Sequence, residues 1–261
     1  MKTATDTATP FIGPMAGPPG LRRPHQPMVF PVRAEHREEF RALIDQGKRI
    51  GLKRVALFHA DTAVGREHLA NVEKLAAAAQ MGFGGGIPFK PDLADARLGT
   101  IVAELQQRQV DLLINHGSAT LYGRLIRAAR AADARIAMWG VNSGSTPLAA
   151  SLGPLAHGMV FSQIVPHPNS GKTALVREYQ ARMPADAARS YGSLEGFMTA
   201  KALLAALRAA GPAPTRETLL AALARFEVDL GGVPLRWRSG DHAGSSFVDL
   251  ALVGRDGRFV Q

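Results

Sequence analysis

One stretch of the sequence matches the end of a phosphate-binding loop. Segment 169–173 reads Asn-Ser-Gly-Lys-Thr, and in such loops the backbone amides around Gly-Lys-Thr wrap a phosphate group. The pattern requires a glycine at residue 166, but Pro166 stands there and proline has no amide hydrogen to donate. The stretch is therefore interpreted as a loop that caps the following helix.

The glycine cluster Gly82, Gly84, Gly85 and Gly86 is a second place where phosphate chemistry could be expected. A dinucleotide-binding fingerprint requires a strand, then a glycine-rich turn, then a helix whose N-terminus meets the phosphates. In this sequence the cluster follows a predicted helix and precedes a predicted strand. It is interpreted as the stop of that helix and a turn.

Patterns for metal-assisted or nucleophilic catalysis are absent from the sequence. The histidines show no His-Glu-x-x-His or other close ligand spacing, and no Gly-x-Ser-x-Gly elbow presents a serine. Since there is also no cysteine, thiol catalysis, Cys-ligated zinc and iron–sulfur clusters are excluded. We interpret His59 and His116, which end predicted strands, as hydrogen-bonded structural residues. The sequence predicts no enzyme activity, no metal and no cofactor.

Small and polar residues follow three predicted strands of one sheet, in the segments 59–62, 115–120 and 140–145. Open α/β sheets bind ligands in the crevice beyond the carboxyl ends of their strands. Serine and asparagine side chains, with the backbone amides at helix starts, can hold a small polar or zwitterionic ligand without any reaction. On this pattern alone, a ligand site and ordinary loop caps are equally supported.

The elements that position these loops follow from the spacing of apolar residues. Apolar positions at helical spacing predict helices, and continuous apolar runs predict strands buried on both faces. Strands separated by helices of 10–15 residues are typical of a doubly wound parallel sheet. Before Gly140, the predicted strands cover 54–60, 87–89, 110–115 and 136–139, and predicted helices cover 35–50 and 121–130. Asp61 is predicted to cap the helix that follows the first of these strands. Beyond Gly140 the sequence predicts strands over 158–165, 233–238 and 247–253, and helices over 173–182, 194–210 and 215–226.

Composition limits the class of protein. The 261 residues are 46% hydrophobic, which is ordinary for a globular chain and excludes disorder along its whole length. No apolar run approaches the roughly 18–20 residues that a membrane span needs, so the chain is predicted not to cross a bilayer. A net charge of +9 could suit an anionic partner. However, no recognition motif accompanies the charge, and no nucleic-acid partner is predicted.

A series of short segments stands in a characteristic order and spacing. They lie at 11–17, 21–22, 29–34, 54–58, 61–65, 163–166, 191–197, 214–216, 231–232 and 241–249. Together they resemble the type I periplasmic binding proteins, most closely the branched-chain amino-acid (Leu/Ile/Val) binding family of ABC transporters. The resemblance covers nearly all of the chain from Pro10 onward and rests on the order of the segments, because no single motif is diagnostic.

The resemblance implies an α/β fold of the periplasmic-binding-protein-like I type, with two doubly wound parallel-sheet lobes joined by three crossovers. It assigns residues 1–30 and 166–244 to a remnant of the first, N-terminal lobe, residues 31–165 to the second lobe, and residues 245–261 to a return into it. The opening strands and helices of the first lobe, on the order of 100 residues at ~30 per βα unit, are not found. The first lobe is therefore expected to be incomplete, and the chain to be truncated at its N-terminus.

The resemblance also places candidate ligand contacts in the first lobe. Met15, Ala16 and Gly17 stand where members of the family grip the carboxylate and amino group of the ligand. Members commonly have a hydroxyl residue there, and this chain has none.

In the second lobe the resemblance points to four further positions. Val64 stands where an aromatic side chain often covers the ligand, and Ser118 and Ala119 stand where tyrosines often do. Asn142 stands where some members place a carboxylate against the ammonium, and Ser143 follows it in the same loop. Because these residues depart from the usual ones, a standard Leu/Ile/Val specificity is not expected.

The function implied is that of a non-catalytic solute-binding component of an ABC importer. Its ligand is an amino acid or a similar small polar solute, bound by closure of the lobes, and its protein partner is the permease. Location in the periplasm is implied by the resemblance, although the first ten residues contain no apolar core of a signal peptide. The alternative is a cytoplasmic sensor domain of the same fold, which binds an amide or amino acid and regulates a partner protein.

Overall fold

The computed structural model of the chain describes residues 1–142, 144–184 and 186–260. The chain is divided into two compact units. Unit 1 comprises residues 1–38 and 164–249, and unit 2 comprises residues 39–163 and 250–260.

Helices and strands alternate along most of the described chain. The α-helices are α1 (Lys2–Asp6), α2 (His36–Arg49), α3 (Ala63–Ala78), α4 (Ala96–Gln107), α5 (Ala119–Ala131), α6 (Ser145–Leu152), α7 (Ala174–Arg182), α8 (Tyr191–Ala209) and α9 (Arg216–Leu223). The strands are β1 (Phe11–Ile12), β2 (Val29–Phe30), β3 (Arg54–Ala60), β4 (Gly82–Phe89), β5 (Leu112–His116), β6 (Ala137–Gly140), β7 (Val160–Gln163), β8 (Arg225–Asp229), β9 (Pro234–Arg238), β10 (Asp241–Gly244) and β11 (Asp249–Leu252).

Unit 2 is built on a six-stranded sheet with the order β11-β7-β6-β5-β3-β4. The pairs β3–β4, β3–β5, β5–β6 and β6–β7 are all parallel. Parallel strands joined by helices place their carboxyl ends at one edge, so the loops that follow β3, β5 and β6 lie side by side. The predicted α/β fold with a mostly parallel sheet is confirmed.

Both faces of this sheet are covered, because successive side chains of a strand point to opposite sides. On β3, Val55 and Leu57 pack with α2 and α3, whereas Ala56 and Phe58 pack with α4, α5 and α6. Each of these four side chains is fully buried. This explains why the strand reads as an unbroken apolar run in the sequence.

The glycine cluster is a strand and not the predicted turn. Gly82 begins β4, the edge strand of the sheet, which pairs with β3 through a shifted register near Gly84. A Cβ on Gly84 would lie 2.7 Å from Val110 Cγ2, and one on Gly86 would lie 2.7 Å from His59 Nε2. Glycine is therefore required by close packing. Arg108 Nη1 donates to the carbonyl oxygens of Gly84 (3.1 Å) and Gly86 (3.5 Å).

The helix predicted over 215–226 and the region after Gly144 also differ from the sequence-based expectation. The helix predicted over 215–226 ends at Leu223, and Phe226 lies in β8, where it is buried between exposed neighbours. Helix α6, which follows Gly144, was not predicted at all. Its left-handed N-cap, Gly144 at φ +72°, is a conformation that glycine adopts without steric cost.

Unit 1 contains a parallel β1–β2 pair and an antiparallel sheet of order β10-β9-β8. Its core includes Trp237, which stacks on Phe226 with ring centroids 5.1 Å apart and donates from Nε1 to the carbonyl oxygen of Pro31 over 2.8 Å. The buried tryptophan thus ties the antiparallel sheet to the chain segment that follows β2.

Candidate functional site

The carboxyl edge of the six-stranded sheet brings three loops of unit 2 together. In the parallel register His59 pairs with His116, Asn115 with Gly140, and Gly140 with Phe161. The strands β3, β5, β6 and β7 therefore end at neighbouring positions. This is the edge at which open α/β sheets hold their ligands.

The loop after β3 turns directly into α3. The N-cap is Thr62, whose Oγ1 accepts a hydrogen bond of 3.1 Å from the Gly65 amide. The predicted cap, Asp61, instead forms an exposed ion pair of 3.0 Å with Arg66, because the chain reaches helical geometry one residue later than expected. Val64, in the first turn, has 44% of its surface exposed.

The loop after β5 turns into α5 in the same way. Ser118 is the N-cap, and its Oγ accepts a hydrogen bond of 3.2 Å from the Leu121 amide. The hydroxyl oxygen therefore stabilises the helix start, while its hydrogen remains a donor. Ala119 is the first helical residue and is partly buried. Its Cβ lies 3.0 Å from the position that a Cβ on Gly144 would occupy, so this loop contacts the loop after β6.

The loop after β6 carries Asn142, which is partly buried. Its backbone amide donates to Oε1 of Glu39 over 3.2 Å. Ser143, the other residue predicted in this loop, lies outside the described residues.

Glu39 is a residue of this edge that the sequence interpretation missed. It is fully buried, and Oε1 also accepts a hydrogen bond of 2.9 Å from Ser162 Oγ on β7. A buried carboxylate is stable only when donors surround it. The signal was present in the sequence, because Glu39 stands on the apolar face of α2, beside Phe40 and Leu43.

Amide side chains form a second polar layer at the same strand ends. Gln163 Nε2 donates to Ser145 Oγ over 3.1 Å, which joins the end of β7 to the start of α6. The oxygens Gln163 Oε1 and Asn115 Oδ1 are buried and have no hydrogen-bond partner among the described residues. Buried polar atoms are normally paired, so these two acceptors suit an additional donor.

The three residues predicted in the first lobe belong to unit 1. Met15 is 64% exposed, Ala16 is exposed and Gly17 is buried. The carbonyl oxygen of Gly17 accepts a hydrogen bond of 2.9 Å from the His36 amide, and a Cβ on Gly17 would lie 3.0 Å from that nitrogen. The segment thus offers two exposed residues, Met15 and Ala16, next to a closely packed glycine.

The segment that ends like a phosphate-binding loop is a helix cap. Thr173 is the N-cap of α7, and its Oγ1 accepts a hydrogen bond of 3.3 Å from the Val176 amide. The carbonyl oxygen of Gly171 accepts from Arg177 Nη1 over 2.9 Å. The interpretation as a capping loop is confirmed by these bonds.

One family model matches nearly the whole chain. The sequence profile described as "periplasmic binding protein" matches residues 1–258. No curated protein matches the chain. Among the helices that the structure describes, none combines the length and the apolar character that a membrane span requires.

Three solved structures illustrate the similarity. A possible leucine/isoleucine/valine-binding protein from Rhodopirellula baltica SH 1 is 28% identical, with a TM-score of 0.83 over 99% of this chain and 72% of its own. An extracellular ligand-binding receptor from Verminephrobacter eiseniae ef01-2 is 25% identical, with a TM-score of 0.85 over 100% of this chain and 76% of its own. A substrate-binding periplasmic protein from Ralstonia solanacearum is 25% identical, with a TM-score of 0.80 over 99% and 74%.

Proposed function

The chain belongs to the periplasmic binding protein family, and on this premise we propose that it is the solute-binding component of an ABC importer. Its ligand is an amino acid or a similar small polar solute, held without covalent chemistry by closure of two lobes. The partner that receives the solute is a membrane permease, and the place of binding is the periplasm. Unit 2 corresponds in this proposal to the second lobe, and unit 1 to what the chain contains of the first.

The observation that supports this proposal most directly is the composition of the carboxyl edge in unit 2. Val64, Ser118, Ala119 and Asn142 stand there in neighbouring loops or at the starts of the helices that follow them, and none of them is charged. The buried acid at this edge, Glu39, has its Oε1 bonded to Ser162 and to the amide of Asn142. A site of this kind binds polar groups through neutral hydrogen bonds.

Each proposed contact has a separate role. The side chain of Asn142 offers an acceptor to an ammonium or amide hydrogen and donors to a carboxylate. The hydroxyl hydrogen of Ser118 is a further donor, whereas Val64 and Ala119 provide apolar contact. Ser143 is a further proposed contact in the loop after β6. From unit 1, the proposal adds the segment 15–17 (Met15, Ala16 and Gly17).

The test is isothermal titration calorimetry of the purified chain with a panel of amino acids and their amides. We expect one class of solute to bind and to be recovered unchanged. Asn142→Ala should weaken that binding about tenfold, the value of one good polar contact. The matched control is Asn169→Ala, because Asn169 is an exposed asparagine of the capping loop in unit 1.

Two outcomes would contradict the proposal. One is solute binding that Asn142→Ala leaves unchanged but Asn169→Ala weakens. The other is that a nucleotide binds instead of any solute in the panel, and that its binding shifts the backbone amide signals of residues 169–173.

A further inference from the structure

Unit 1 contains a cavity of about 600 Å³ whose lining includes none of the residues proposed to bind the solute. Its lining comes from the segment 22–38, from β8 and β9, and from residues 240–246, which include β10. Arginines and carboxylates dominate the lining. The arrangement of these charges decides what the cavity can hold.

Arg22 is the buried arginine of this cavity, with only 7% of its surface exposed. Nε donates to the carbonyl oxygen of Ala243 over 3.0 Å, and Nη2 donates to that of Arg33 over 2.7 Å. Nη1 is buried and has no hydrogen-bond partner in the described part of the chain. Burial lowers the pKa of Arg22 to about 10, against the influence of nearby Glu35, so the guanidinium stays charged at neutral pH.

Three of the four carboxylates of the lining already have cationic partners. Glu35 accepts a hydrogen bond from Arg23 Nη2. Asp241 lies 3.8 Å from Arg236 Nη2. Glu227 on β8 lies 3.3 Å from Nη2 of Arg238, a residue that is not part of the cavity lining. Glu38 is also engaged in an interaction. These acids therefore do not neutralise Arg22 through a direct hydrogen bond.

Two other donors of the lining are unused within the described residues. Arg37 is exposed in the first turn of α2, and its guanidinium makes no ion pair or hydrogen bond there. His25 Nδ1 is buried and has no hydrogen-bond partner in the part of the chain that the structure describes. The cavity thus combines a buried guanidinium nitrogen, an exposed guanidinium and an imidazole nitrogen, none of which has a hydrogen-bond partner among the described residues.

We propose that this cavity is a binding site for a small oxyanion, a carboxylate or phosphate group held by Arg22, Arg37 and His25. Guanidinium groups present paired N–H donors that match the oxygens of both anions, and they do so most strongly where water is excluded. The anion supplies the acceptor that Arg22 Nη1 lacks. The site is independent of the proposed solute site, since it uses other residues of one unit.

The experiment titrates the full chain with inorganic phosphate, acetate and citrate by calorimetry, at constant ionic strength set with chloride. We expect saturable binding of one anion per chain, and the stronger of the phosphate and carboxylate arms identifies the group that the cavity prefers. Arg37→Gln, an exposed change that leaves the fold intact, should weaken binding about tenfold. Arg22→Gln should abolish it.

Arg225→Gln is the matched control, because Arg225 is an exposed arginine of β8 outside the cavity. Amide chemical shifts should move at residues 25 and 244–246 on adding the anion, which keeps the test valid if Arg22→Gln does not fold. The proposal is overturned if no anion binds more tightly than chloride. It is equally overturned if Arg37→Gln has no effect, or if Arg225→Gln weakens binding as much as Arg37→Gln.

Discussion

Ser162 Oγ donates a hydrogen bond of 2.9 Å to Oε1 of Glu39, and so joins the end of β7 to α2 across 123 residues of sequence. The same oxygen accepts from the Asn142 amide over 3.2 Å. One buried carboxylate therefore fixes the ends of two neighbouring strands at the edge where the solute site is proposed.

Removal of this carboxylate should destabilise the folded chain. Glu39→Ala leaves the two donors without their acceptor, and we expect the free energy of unfolding to fall by about 2–6 kcal/mol, from roughly 1–3 for each of the two groups left unpaired. Glu39→Gln keeps an acceptor oxygen and should cost less. Urea denaturation measures the free energy of unfolding of both variants. Glu67→Ala is the control, because Glu67 is an exposed acid of α3. Equal losses for the alanine variants of Glu39 and Glu67 would contradict this account.

Gly65 is the glycine whose replacement should be most costly. A Cβ at this position would lie 1.9 Å from the carbonyl oxygen of Ala60, so α3 could not start where it does. Gly65→Ala is expected to lower the free energy of unfolding by about 1–3 kcal/mol or more, the usual cost of overpacking. Gly99→Ala is the matched control, since a Cβ on Gly99 of α4 meets no atom of the described residues within 4 Å. That variant should gain roughly 0.5–1 kcal/mol from helix propensity. A destabilised Gly99→Ala beside an unaffected Gly65→Ala would refute the prediction.

The buried ion pair of unit 1 should be costly to break on one side only. Arg33 Nη1 lies 3.3 Å from Glu195 Oε1, and each side chain is 6% exposed. Glu195→Leu leaves a buried guanidinium, so unfolding should become easier by about 3–5 kcal/mol. Replacing both partners, in Arg33→Met with Glu195→Leu, should recover most of that loss. In thermal denaturation, the double variant should have a higher melting temperature than Glu195→Leu alone. A lower melting temperature for the double variant would count against a buried pair.

Stability should decrease as the pH falls below about 6.5. Burial lowers the pKa of His242, whose ring stacks on Phe30 with centroids 4.2 Å apart, and burial also lowers the pKa of His167. In the unfolded chain these histidines take up a proton near pH 6.5, before the folded chain does, so protonation favours unfolding. Their contribution is complete above pH 6.5 and is lost as the pH falls through the folded pKa values.

The corresponding measurement is urea denaturation at several pH values between 7.5 and about 5, where carboxylates remain ionised. His242→Asn with His167→Asn should flatten the pH profile in this interval. His157→Asn, a change at an exposed histidine, should leave it as in the parent chain. A profile that rises towards acid pH would show that the sign of the argument is wrong.

The sheet of unit 2 could be predicted from the sequence because its central strands are buried on both faces. Arg54–Ala60 and Leu112–His116 read as apolar runs for that reason. The start of the edge strand β4 could not be predicted from the sequence. Gly84 and Gly86 are required there by close packing, which is visible only in the folded chain. At Phe226 the alternation of buried and exposed residues was too short to be distinguished from the end of a helix.

The location of the candidate site could be predicted from the sequence, but its hydrogen bonds were harder to predict. Loops at strand ends can be located from the sequence, and the cap at Ser118 stands in one of them. The bond from Ser162 to Glu39 joins residues far apart in the chain, and no local pattern announces it. The ligand-binding residues themselves stay a prediction until the titrations are made.

The guanidinium of Arg108 on the carbonyl oxygens of Gly84 and Gly86 has a consequence for association between molecules. An edge strand is a template on which a strand of another chain can add, and repeated addition produces cross-β fibrils. Here an intruding strand would have to displace Arg108 and straighten the irregular pairing of β4 with β3 before it could bond. The β4 edge of the sheet is thereby protected against fibril growth, although the strands behind it are among the most apolar in the chain.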